Sequence, residues 1–354
     1  MFNFKFDAVE QGDCLEHLRL LGDNLFDTSF ADPPFNLNKK YKGFDDKQEA
    51  DLYLEWCTEW IRELFRVTKP SGSIFIHNIP KWLTRYVCMI AAEGLGELRH
   101  WIVWDAATSP MGKSLQPAHY GILYYVKDPT QCKVNELRML HKRCRNKKCN
   151  LLLRDYGGKK DTIHPFGPLV SDVFSDIYRC KHAKYKDLHP CQLPIHLLER
   201  LILLSTDPGD IVYDPFMGSG TTAVAAKRLG RSFYGCEQSP RYVEIINEKL
   251  AKEDAPSCFN GIWASCYLNR FHTVRDKDIY DESKKDFREE WKSLYEEWPE
   301  TDDARKKLNL NDLKLKQTHL DLLKKVCSIE GTFKTDGEAQ SVKLARMKKE
   351  GIVK

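Results

Sequence analysis

Apolar residues in the first third of the chain follow two alternating spacings. Runs such as "NLFDTSF" and "GSIFIHN" are short, continuous and bounded by turn residues, as in buried strands, and the second follows the turn-like "KPSG". Residues 49–68 and 81–93 instead repeat apolar positions at helical spacing. "HWIVWD" and "HYGILYYVKD" supply two more strands, and the alternation predicts an α/β sheet. From about 128 to 187 the pattern breaks into polar, basic, turn-rich sequence ("DYGGKKD", "HPFGP") with too little apolar periodicity to extend that sheet. Order resumes at "LPIHLLERLILLSTDPGD", predicted as an apolar helix stopped by Pro208 and Gly209. A β-loop-α-β unit follows: "IVYD" as strand, "PFMGSG" as loop, "TTAVAAKRLG" as helix closed by Gly230, and "SFYGCE" as a strand ending in an acid. Beyond about residue 250, charge-rich stretches such as "ESKKDFREEWKSLYEEW" keep helical spacing and predict a helical appendage.

Composition adds scale. With 354 residues, 42% of them apolar, the chain can fill a sizeable core and carry an insertion or appendage as well. Its 12 cysteines are scattered, and neither an amino-terminal apolar signal nor a membrane-length apolar run is present, so a soluble, cytoplasmic protein without a membrane partner is expected. The net charge of +4 is unevenly placed. Residues 127–187 hold 15 Lys and Arg against 7 Asp and Glu, which leaves the rest of the chain net negative. That segment is suited either to phosphate contact or to a solvated loop.

Two short stretches carry chemistry. In "ADPPF" two prolines remove backbone donors and fix two φ angles, so the nearby carbonyls are expected to stand stiff and without partners in the chain. A turn capped by Asp32 is the simpler alternative. In "DPFMGSGTT" a glycine loop opens a helix at the end of a strand, the place where open α/β sheets bind ligands. Neither the phosphate-loop nor the dinucleotide spacing is met. Glu237, ending the next strand, is placed to accept hydrogen bonds from both hydroxyls of a ribose, so a nucleoside cofactor without a pyrophosphate fits best.

"DPFMGSGTT" with "GCE", downstream of "ADPPF", resembles the S-adenosylmethionine-dependent DNA amino-methyltransferases of the permuted (beta) class, whose catalytic motif precedes the cofactor motif. The resemblance runs from about residue 6 to 250 and takes in "GDCLEHL" and "HPCQLPIHLLERLI". It implies a Rossmann-like mixed sheet with helices on both faces, divided as 1–105 (catalytic half), 106–187 (basic target-recognition insertion), 188–252 (cofactor half) and 253–354 (helical appendage). It also implies that Asp32 accepts one hydrogen of the target amine, that the Pro33 carbonyl beside Pro34 accepts the other, and that Phe35 stacks on a base flipped out of the duplex. For S-adenosylmethionine it implies Asp13, Asp32, Asp214, Phe216, Gly218, Gly220, Thr221 and Glu237. His189 and Gln192 match the motif before the cofactor loop, although Leu193 stands where the family usually has Lys, so no basic contact is expected there. Phe35 replaces the family's more frequent Tyr. An aspartate before the prolines leans toward N6 of adenine; N4 of cytosine is the alternative, and a catalytically silent DNA binder the remote one.

DNA is the partner the resemblance implies. A homodimer is a further expectation, and a cognate restriction endonuclease is expected if the enzyme is half of a restriction-modification pair. Within the insertion, Cys132, His141, Cys144 and Cys149 offer four zinc ligands at a loose spacing, with Cys180 and His182 as substitutes, against the plainer reading of reduced cysteines in a basic loop. Such a zinc would be structural.

Overall fold

The computed structural model describes residues 5–38, 40–41, 44–106, 115–135, 137, 169–175, 177, 179, 192–207 and 209–252. Nearly all belong to one unit, 1–135 with 171–260; the other unit, 136–170 with 261–354, contributes only 137, 169 and 170. The expected appendage and most of the insertion therefore lie outside the described residues.

The chain runs β1 (Ala8–Gln11), α1 (Cys14–Leu20), β2 (Phe26–Ala31), β3 (Lys40–Tyr41), β4 (Phe44–Asp45), α2 (Ala50–Val67), β5 (Thr68–Asn78) and α3 (Pro80–Glu93). It continues through β6 (Glu97–Asp105), β7 (His119–Val126), β8 (Val173–Phe174), α4 (Ile195–Ser205), β9 (Ile211–Asp214), α5 (Thr221–Arg228), β10 (Ser232–Glu237) and α6 (Pro240–Lys252). Among the described residues eight strands form one sheet in the order β1-β10-β9-β2-β5-β7-β6-β8. Strands β1 to β5 along that order are parallel, and β7 runs antiparallel to both β5 and β6. The small hairpin β3-β4 is separate.

Helix α2 shows how the apolar spacing is used. Tyr53, Cys57, Trp60, Ile61, Leu64 and Phe65 form one buried stripe, packed with Trp82, Leu83 and Tyr86 of α3 in a single core cluster. Burial of such side chains stabilises by about 1.5–3 kcal/mol each. Helix α3 starts on Pro80 and ends at Gly94, whose φ of 62° is the left-handed cap that glycine adopts without steric cost.

Two expectations need correction. The insertion does reach the sheet, because Val173 and Phe174 form β8 and pair in parallel with Val103 and Trp104 at its edge. Phe174 is buried and the Trp104 indole donates to the Ile177 carbonyl at 2.7 Å, so two well-anchored apolar residues suffice where no periodicity warned of a strand. "KPSG" is not a turn before β5 but an irregularity inside it: register advances from Phe26 to Thr28 in β2 while β5 passes from Thr68 to Ser73. The expected apolar helix is α4, which ends at Ser205, where Asn135 Nδ2 donates to the Leu203 and Thr206 carbonyls and Arg231 Nη2 also reaches Thr206; Pro208 lies outside the described residues. No helix among the described residues is long and apolar enough to cross a membrane.

Candidate active site

Strand β2 lies between β5 on one side and β9 on the other, so the sheet is wound outward from it in both directions. Ligands of open parallel sheets bind outside the carboxyl ends of the strands at such a reversal. An open cleft of about 1100 Å3, its solvent mouth included, occurs there, walled by the residues that follow β2, β9 and β10.

The Pro-Pro segment leaves β2 directly. Tyr53 of α2 donates its hydroxyl to the Pro34 carbonyl, and the Trp82 indole of α3 donates to the Phe35 carbonyl at 2.7 Å. The Tyr53 hydroxyl accepts in turn from Tyr86 at 3.2 Å and from Asn78 at 3.3 Å. Two of the three carbonyls expected to lack partners in the chain thus have them. Among the described residues no donor reaches the third, on Pro33. Downstream, Asn36 and Asn38 take left-handed φ values of 55° and 61°, which asparagine tolerates better than most residues. Asp46 accepts from the Asn36 and Leu37 amides at 2.7 and 3.0 Å, folding the loop back on itself.

Oδ1 of Asp32 and Nδ1 of His77 share a hydrogen bond of 2.7 Å. Phe35 meets the His77 ring at 5.3 Å between centroids and the Tyr120 ring at 5.9 Å.

The second wall is built from local contacts. Asp214 accepts from the Phe216 amide at 2.8 Å and the Thr222 hydroxyl at 2.6 Å. Burial nevertheless pushes its carboxyl up to about 7, with the negative charges of Asp32 and Glu237 adding to the effect. Glu237 accepts from the Gly218 amide at 2.8 Å and the Ser239 amide at 2.9 Å, and burial raises its pKa as well. Gly220 begins α5 at φ 83°, and a Cβ there would stand 2.7 Å from Ile246. Gly235 in β10 is tighter still, since a Cβ would stand 2.0 Å from the Asp214 carbonyl oxygen.

Asp32, Pro33, Pro34 and Phe35 share this cleft with Asp214, Phe216, Gly218, Thr221 and Glu237. Asp13, Gln192 and Leu193 line it too, while Gly220 shapes the loop from behind. Asp13 also caps α1, accepting from the amides of Leu15 and Glu16. Phe216 leans edge-on against Trp60 and Trp56 at 5.2 and 5.8 Å, so one part of its ring belongs to the core. Of the zinc ligands only Cys132 is described; its thiol donates to the Pro129 carbonyl at 3.4 Å. His141, Cys144, Cys149, Cys180, His182 and also His189 lie outside the described residues. No group of His, Cys, Asp or Glu suited to a metal occurs among the described residues. Sequence reasoning missed His77, Tyr53 and Trp82. None left a signal of its role: "GSIFIHN" reads as an apolar strand ending in polar residues, and only the sheet register sets His77 beside Asp32.

Comparison with known proteins supports what this geometry suggests. The family model described as DNA methylase (N6_N4_Mtase) matches residues 26–248. The chain belongs to this DNA methylase family. It is 43% identical over 245 residues to the Type II methyltransferase M.BamHI of Bacillus amyloliquefaciens, covering 69% of this chain and 56% of that one. It therefore spans little more than half the length of that relative. With the DNA adenine methyltransferase YhdJ of Escherichia coli K12 it shares 31% identity over 257 residues, 70% of this chain and 84% of the relative. The solved PvuII DNA methyltransferase (cytosine-N4-specific) has the same fold, with a TM-score of 0.51 at 18% identity over 72% of this chain and 95% of that one.

The cleft fits the cofactor that the family resemblance implies. The Gly218 amide orients Oε2 of Glu237 and the Ser239 amide orients Oε1, and the carboxylate keeps acceptor capacity toward the cleft for a ribose hydroxyl. In the same glycine loop the buried Ser219 hydroxyl has no partner among the described residues, and Ser219 lines the cleft.

Proposed function

We propose that this chain transfers a methyl group from S-adenosylmethionine to an exocyclic amine of a base in DNA, with N6 of adenine as the target. The observation that carries the reading is the Pro33 carbonyl, without a donor among the described residues, beside the Asp32 carboxylate, in one cleft with Glu237 and the glycine loop. An exocyclic amine is a weak nucleophile because its lone pair is delocalised into the ring. Two acceptors, each taking one N–H, draw the nitrogen toward tetrahedral geometry and localise that pair.

When bound, S-adenosylmethionine supplies a methyl group on a sulfonium, which leaves as the neutral thioether S-adenosylhomocysteine when the amine nitrogen forms its new N–C bond. Asp32 takes the proton that the amine loses. The Pro33 carbonyl holds the hydrogen that stays. Phe35 offers a ring face to the flipped base, offsetting part of the few kcal/mol that unstacking costs. Glu237 holds the ribose, and Asp214 and Ser219 face the methionine end, where a positive charge would favour the ionised form of Asp214. Positioning and fixed dipoles then account for most of the rate. The basic insertion contributes phosphate contacts that weaken with salt.

Adenine is favoured by the aspartate before the prolines and by the likeness to a DNA adenine methyltransferase. A cytosine N4 amine would meet the same two acceptors, so product identity decides. The test is to incubate the protein with labelled S-adenosylmethionine and mixed-sequence duplex DNA, digest to nucleosides and identify the product by mass spectrometry. N6-methyladenine supports the proposal in full. N4-methylcytosine keeps the chemistry and overturns the base, and no methylated nucleoside overturns the function.

A further inference from the structure

We propose that His77 is a positioning residue for methyl transfer: it holds Asp32 through Oδ1 and leaves Oδ2 to accept the proton of the target amine. The inference rests on the function proposed above and assigns a role to a residue outside both sequence motifs.

The sheet itself creates the pair. Ala31 at the end of β2 lies in register with Ile76 of the parallel strand β5, so the next step along both chains sets Asp32 beside His77. Nδ1 of His77 and Oδ1 of Asp32 are 2.7 Å apart. The His77 side chain is 3% exposed and that of Asp32 18%, so only the carboxylate looks into the cleft.

The surroundings choose the tautomer. Nε2 of His77 is buried and has no hydrogen-bond partner among the described residues, and the ring is enclosed by Phe35, Trp104 and Tyr120 at centroid distances of 5.3, 5.7 and 5.4 Å. A proton on Nε2 would bury an unsatisfied donor and turn the Nδ1 lone pair against a carboxylate oxygen. A proton on Nδ1 leaves Nε2 an unpaired acceptor instead of an unpaired donor, removes the repulsion from the carboxylate oxygen and makes a charge-assisted bond to Asp32. With Nδ1–H committed to Oδ1, His77 cannot take a proton from Asp32 through that nitrogen. Its part is therefore to fix the carboxylate's rotation, which the Cα–Cβ and Cβ–Cγ bonds would otherwise leave loose beside a Pro-Pro bend.

The test compares single-turnover methylation of duplex DNA and S-adenosylmethionine affinity in wild type, His77→Asn and His77→Gln. Asparagine can place an amide N–H where Nδ1 stood, whereas glutamine carries the same group one methylene too far. The glutamine variant should be slower by about 10- to 100-fold and the asparagine variant within about threefold of wild type, with cofactor Kd unchanged in both. Glutamine matching wild type, or asparagine no faster than glutamine, would overturn the role.

A second measurement needs no variant to fold well. In wild type labelled with 15N-histidine, the His77 nitrogens should report the Nδ1–H tautomer; an Nε2–H tautomer would sink the proposal. Wild type that yields no methylated nucleoside would refute the function itself, a result distinct from active wild type that is indifferent to His77.

Discussion

The two walls of the cleft are assembled in opposite ways. On the cofactor side each acid is held by near neighbours: Asp214 by the Phe216 amide and Thr222, Glu237 by Ser239 and by Gly218 of the loop it faces. On the catalytic side the Pro-Pro segment is held from a distance, by Tyr53 and Trp82 on two different helices and by His77 on the neighbouring strand. A binding loop can be written as one compact motif because its own amides do the holding. A motif that must keep one carbonyl unpartnered, yet rigid, draws its support from the rest of the domain.

Perturbing each wall should expose that difference. The largest effect expected is the pH dependence of Asp214. Its pKa is raised from the ordinary 3.8 to about 7, so between those values the folded protein binds a proton that the unfolded chain has lost. Stability therefore falls as pH rises through that window, by on the order of 3–4 kcal/mol, relative to Asp214→Asn. Urea unfolding of both proteins at pH 4 and pH 7.5 checks it, and a constant difference between them would break the account of a buried, loop-held acid.

Next comes Gly235→Ala, whose methyl would meet the rigid Asp214 carbonyl at 2.0 Å. A loss of about 3 kcal/mol of unfolding free energy is expected. Glu237→Ala should cost about 2–3 kcal/mol of cofactor affinity, roughly 30- to 150-fold in Kd, while the rate at saturating cofactor holds. Calorimetric titration with S-adenosylmethionine measures this directly. The smallest of these effects belongs to a remote support of the catalytic wall: Tyr53→Phe removes the donor to Pro34 and should lower stability by about 1–2 kcal/mol. Its single-turnover rate should drop while cofactor affinity stays, and the reverse pattern would show that the two walls are not supported separately.

The same contrast explains what the sequence made legible. Strands β2, β9 and β10 and helices α2, α3 and α5 follow from apolar spacing and turn residues, because each buries one face and is stopped by local chemistry. The glycine loop and Glu237 could be read because their partners lie within one β-loop-α-β unit. His77, Tyr53 and Trp82 could not, since only the parallel register of β2 with β5 and the packing of α2 and α3 bring them to residues 32–35. Gly235 was passed over for a related reason: the close approach that demands it involves the neighbouring strand, and nothing in "FYGCE" alone announces that. Strand β8 escaped because its two residues are held by Trp104 and the sheet edge rather than by a pattern of their own.

The most direct test of the central claim is to follow methyl transfer to duplex DNA by wild type and Asp32→Ala, after confirming that both bind S-adenosylmethionine equally. The account predicts a methylated exocyclic amine from wild type and a rate lowered by about 10^3-fold or more in the variant. An Asp32→Ala protein that methylates DNA at close to the wild-type rate would contradict it, because the acceptor facing the amine would then have to lie elsewhere.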